Sequence, residues 1–144
     1  MPPDDSVDLH QGAVLHIKNF STRGHPQKNK FLLVIGCLGE TEVLGFLISS
    51  QLHYLQAPSR KKEVVRIARS VTHFLSCDSI IQCFELERLS RAALCEGYER
   101  GDIQNKGRLP ARFLHLIRET VSASFLLTQD AIDMALKVLP PAIR

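Results

Sequence analysis

The sequence predicts an α+β fold, a small and strongly curved antiparallel β-sheet or barrel with C-terminal helices packed on it. Between residues 12 and 90, apolar residues come in strand-length runs separated by turn formers. Between residues 110 and 139 they recur at helical spacing instead. The 144 residues suffice for a single domain that buries a core without staples. A polar leader over residues 1–11 is expected to be loose.

The first strand is GAVLHIKNF, Gly12 to Phe20, in which Val14, His16 and Lys18 alternate with Leu15, Ile17 and Asn19. STRGHPQKN follows and is rich in turn residues. Phe31 to Ile35 is an unbroken apolar run that suits a strand buried on both faces. CLGE supplies a turn, and Glu42 to Ser49 returns to complete a hairpin. Residues 58–70, PSRKKEVVRIARS, fit loop, helix or strand; β-branched residues favour a basic loop followed by a strand from Glu63. Phe84 and Leu86 alternate with Glu85 and Glu87, the pattern of a half-buried strand. Ser90 to Gly107 is polar, contains GD and NKG turn signals, and reads as a linker.

Pro110 opens a helix, because its missing N–H is not needed in the first turn. Phe113, Leu116, Ile117 and Val121 form its apolar stripe. Thr128 is the N-cap of a second helix, with Asp130 at the positive end of the dipole. Ile132, Ala135, Leu136 and Leu139 make the apolar face of that helix, and Pro140-Pro141 ends it.

The formal net charge of +3 is low for a duplex-binding domain but compatible with binding single-stranded RNA. The four cysteines, Cys37, Cys77, Cys83 and Cys95, form no C-x-x-C pair, and the histidines have no ligand spacing, so no metal or other cofactor is expected. The opening MPPDDSVDLHQG is acidic and lacks the apolar run of a secretory signal. No stretch approaches the roughly 20 apolar residues of a spanning helix, so no membrane association and a cytoplasmic location are expected.

The order of these parts resembles the PemK/MazF-like toxins of type II toxin–antitoxin systems, from Gly12 to about Leu139. NKFLLVI is similar to the family strand RPVLVI, with Lys30 at the arginine position and Phe31 at the proline position. GFLISS resembles the family strand that ends in Thr-Ser or Ser-Ser, and THFLSCDSIIQCFELERL the segment of an Asp followed by a strand and RL. GRLPARFLHLIRETV is similar to the family's Gly, Leu and C-terminal helix. The resemblance implies an SH3-like barrel, a homodimer, metal-independent endoribonuclease cleavage of single-stranded RNA, and a small antitoxin protein as partner. Ser76 stands where the family has an arginine two residues before the Asp. With Lys30, it leaves open a second reading, a barrel that binds RNA or protein without cutting.

Metal-free RNA cleavage needs a base for the 2′-OH, donors for the phosphate charge and an acid for the leaving oxygen. At positions matching the family, Asp78 is the candidate base or orienting group, Lys30 the phosphate ligand, and Ser49 and Ser50 hydrogen-bond donors to the phosphate. Each also has an ordinary reading, as a turn aspartate, a solvated strand-end lysine or strand-closing serines. Thr72 falls at another family position, and neighbouring His73, like His25, could replace a missing acid or base, although an ordinary surface or strand histidine is the commoner case. Arg60, Lys61 and Lys62, with Arg66 and Arg69, form one basic cluster, and Arg23, Lys28 and Lys30 another; both would follow a nucleic-acid backbone. Aromatic residues for base stacking are few; Phe20, Tyr54 and His25 are the candidates. A serine hydrolase is excluded, because the chain has no G-x-S-x-G elbow.

Overall fold

The structure, a computed structural model, describes residues 6–20, 28–50 and 61–141. Its strands are β1 (Ala13–Phe20), β2 (Lys28–Leu38), β3 (Glu42–Ser49), β4 (Val64–Ile67), β5 (Ser79–Gln82), β6 (Glu87–Ser90) and β7 (Ile103–Arg108). Its helices are α1 (Arg91–Arg100), α2 (Ala111–Ser122) and α3 (Gln129–Val138), with a 3-10 turn at Arg69–Val71. Among the described residues, all seven strands belong to one antiparallel sheet in the order β4-β5-β3-β2-β1-β7, and β6 pairs with the first half of β3. The α+β class and the antiparallel sheet therefore stand as expected. The ladder is open: among the described residues β4 and β7 are its two ends, and α2 packs against β4.

The sheet carries a core on each face. Val14, Leu33, Ile35 and Phe46 pack under α2 and α3, with Phe113, Ile117, Val121 and Ala135. Leu15, Leu32, Val34 and Leu47, their neighbours in sequence, face the other way and pack with Leu94 of α1 and Ile103 of β7. This is why β2 reads as a continuous apolar run, since both sides of its pleat are buried. The second core also takes in Val7 and Leu9, so the leader is docked from there onward. Asn105 holds it further, accepting from the Asp8 N–H at 2.8 Å and donating to the Ser6 carbonyl at 3.0 Å. On the first face, Gly36 lets α3 approach β2 closely. A Cβ there would lie 2.6 Å from the Cβ of Val138.

Several elements differ from expectation. β2 is longer than Phe31–Ile35 and turns at Gly39, whose φ of 66° suits glycine. The alternation Phe84–Glu87 falls mostly on a turn rather than a strand. The strand is the wholly buried β5, after which the Cys83 N–H donates to the Glu63 carbonyl at 3.0 Å. Ser90–Gly107 is not a linker, because it holds α1 and β7. Ser90 caps α1, accepting from the Ala93 N–H at 3.2 Å, and Gly101 closes it in the left-handed conformation. β7 is held by pairing with β1 along Ala13–Ile17. Leu116 lies outside the buried stripe of α2, and Leu114 takes its place. In α3, Thr128 caps as expected, accepting from the Ala131 N–H at 3.1 Å.

Candidate functional site

The antiparallel register brings three chain segments to one end of the sheet. Phe31 pairs with Ile48, so the start of β2 lies beside the end of β3. Ser49 pairs with Ile80, which adds the segment entering β5. Between them is a cleft of about 220 Å³ whose lining includes Lys28, Lys30, Phe31, Ser49, Ser50, Phe74, Ser76 and Cys77. Lys30, Ser49 and Ser50 are therefore neighbours, although the hairpin separates them by some twenty residues.

The cleft is cationic, lined by Lys28 and Lys30. Partial burial lowers the pKa of Lys30, and the charge of Lys28 lowers it further. Its ammonium thus releases a proton more readily than a solvated lysine does. Ser49 is buried, whereas Ser50 and Lys28 are exposed. Ser79 at the cleft floor turns its hydroxyl back to donate to the Cys77 carbonyl at 3.0 Å.

Asp78 lies between the lining residues Cys77 and Ser79 but is not itself part of the lining. One of its carboxylate oxygens accepts the Arg69 N–H at 2.9 Å, anchoring the start of the 3-10 turn. In this conformation its carboxylate holds the 3-10 turn and stays outside the cleft lining. Thr72 follows that turn; its Oγ1 is buried and has no hydrogen-bond partner among the described residues. His73 is exposed and packs edge-on to Phe74, 5.5 Å between ring centres. Lys61 and Lys62 are exposed just before β4, outside the cleft lining, and Arg66 and Arg69 are exposed as well. Arg23, His25, Tyr54 and Arg60 lie outside the described residues. Phe20 lines a separate cavity of about 230 Å³ between the end of β1 and α1.

A row of rings beside the cleft was not anticipated from the sequence. His16 on β1 meets Phe31 on β2 at 5.1 Å and 64°, and Phe31 meets Phe74 at 6.4 Å and 37°. His73 ends the row. Burial lowers the pKa of His16, and the charges of Lys106 and Lys18 add to the effect, so its neutral form is favoured. The alternation of His16 with Lys18 on β1 was the available signal, but Phe31 and Phe74 join it only through tertiary pairing.

Comparison with protein-family models and with curated proteins finds no match for this chain. Among the described residues, no helix is long and apolar enough to cross a membrane.

Proposed function

We propose that this protein binds single-stranded RNA in the cleft between β2, β3 and the β5 approach, and cuts it without a metal in the manner of PemK/MazF-like toxins. The observation that carries the reading is the meeting of Lys28, Lys30, Ser49 and Ser50 in one cleft, beside the loop that bears Asp78. In this chemistry Asp78 takes the proton of the ribose 2′-OH, and the 2′ oxygen attacks phosphorus. Ser50 and Lys28 hold the phosphate charge, and the bond to the 5′ oxygen breaks. Lys30, its pKa lowered by burial and by Lys28, protonates that oxygen. The products are a 2′,3′-cyclic phosphate and a 5′-hydroxyl. The finer parts of the proposal are an SH3-like curvature of the sheet, a homodimer, and a small antitoxin protein that occupies the same cleft.

A second reading is favoured by one observation. Asp78 already accepts the Arg69 N–H and stays outside the lining, while Ser76 offers no guanidinium. On that reading the cleft binds RNA and leaves it intact. Incubating the purified protein with an unstructured RNA oligonucleotide in excess EDTA separates the two. Cleavage to fragments ending in a cyclic phosphate, abolished by Asp78→Ala, supports the toxin. Retained binding with intact RNA supports the second reading. Absence of both cleavage and binding removes both.

A further inference from the structure

We propose that Phe31 and Phe74 form the surface on which an unpaired nucleobase stacks, with His16 and His73 as its two buttresses. The proposal rests on the reading of the cleft as an RNA site and adds the group that holds the base. Phe31 and Phe74 both line the cleft, and their ring centres are 6.4 Å apart with the planes tilted by 37°. They are half-buried, so each ring is supported by the core and still reaches the cleft. His16 braces Phe31 edge-on at 5.1 Å, and His73 braces Phe74 at 5.5 Å and 84°. Four rings from three separate segments thus stand in continuous contact beside two lysines.

β7 makes room for the pair. Gly107 has no side chain, and a Cβ there would lie 3.1 Å and 3.4 Å from two atoms of the Phe74 ring. Any larger residue makes the ring give by a few tenths of an ångström and is strained at the φ of 144°, so a glycine on a different strand leaves Phe74 its room.

The surroundings select the occupant. Lys28 and Lys30 share the cleft with the rings, and Lys18 and Lys106 are close enough to His16 to depress its titration. A ligand with a flat π face and a negative backbone satisfies both features, and a single nucleic-acid strand has both. An acidic peptide would use the cations and leave the ring pair idle. Duplex RNA, its bases already stacked, could not offer a face to the pair.

The test uses the full chain and two probes of equal length and charge, a single-stranded oligonucleotide and its abasic analogue. Phe74→Leu keeps apolar volume and removes the ring. It should weaken binding of the base-bearing strand by about 5- to 150-fold, the range expected for one lost stack, and leave the abasic strand unchanged. His73→Ala, at an exposed position, should weaken the same probe by a smaller factor. A 2-aminopurine placed in the strand should be quenched by the wild type and not by Phe74→Leu. Gly107→Ala, which crowds the Phe74 ring, should weaken the base-bearing strand by a smaller factor than Phe74→Leu and leave the abasic strand unchanged, while its fold, checked by circular dichroism, persists. Equal binding of both probes by the wild type, or equal loss on both with Phe74→Leu, overturns the stacking surface and leaves the cationic cleft standing. Binding of neither probe overturns the cleft and the stacking surface together. Preference for an acidic peptide over both strands overturns the choice of occupant.

Discussion

Glu63→Ala should be among the most damaging single substitutions outside the apolar core. Glu63 is 3% exposed, directly before β4. Its carboxylate accepts the Ser124 hydroxyl, the Phe125 N–H at 3.0 Å and the Leu126 N–H at 3.0 Å, clamping the α2–α3 turn to the sheet. Truncation removes three bonds to a charged acceptor and leaves their donors without a partner. A donor left unpaired and kept from water costs about 1–3 kcal/mol. Phe125 itself is 92% exposed, so water can reach this turn and recover part of the loss. The net expectation is about 2–4 kcal/mol. Glu63→Gln keeps one acceptor oxygen but turns an amide towards donors, and should cost about half as much. Urea denaturation followed by circular dichroism measures both. With a slope near 2 kcal/mol/M, the midpoint should fall by roughly 1–2 M for the alanine variant. A loss below about 0.5 kcal/mol would refute the reasoning, because the turn would then be held by apolar packing alone.

Gly36→Ala should destabilise by about 1–3 kcal/mol, because its Cβ would overlap Val138, and the melting temperature should fall with it. Asp8 feels some burial, which alone would raise its pKa, but hydrogen bonds from Arg108 and His10 outweigh it and hold the pKa at about 2, against an ordinary 3.8. A depressed carboxylate stabilises the fold above its unfolded pKa and loses that contribution as pH falls towards about 2. Asp8→Asn should therefore remove a pH-dependent component of about 1 kcal/mol or less, since the pair is partly solvated. It should be seen as a smaller drop in stability between pH 4 and 2 than in the wild type. Removing Lys28 and Lys30 together should weaken single-stranded RNA binding and flatten the plot of log affinity against log salt by about 1.4. An unchanged slope would mean that these amines do not touch the backbone.

The parts legible from sequence are those whose signal is local. β3 matches its predicted span because turn formers bound it on one side and serines on the other. α3 was recognisable from a capping threonine and a regular apolar face. α1 was not, because only Leu94 and Gly97 are buried and its sequence is otherwise polar; Ser90 and Gly101 at its ends were the remaining clue. β7 carries IQNKGR, with Ile103 its sole buried residue, so its strand character comes from its partner β1 rather than from its own pattern. The same division runs through the site. Lys30 and Ser50 end the two arms of one hairpin, so sequence could bring them together. The direction of the Asp78 carboxylate depends on the 3-10 turn it anchors, and the ring row depends on three non-adjacent segments. Neither is written in any single stretch of sequence.

The central claim is that the end of the sheet where β2, β3 and β5 meet is where RNA sits. Titrating an unstructured RNA oligonucleotide into isotope-labelled protein, with amide shifts followed by NMR, tests it most directly. The shifts should concentrate on Lys28–Phe31, Ile48–Ser50 and Phe74–Ser79. Shifts confined to α2 and α3, or none at saturating RNA, would contradict it.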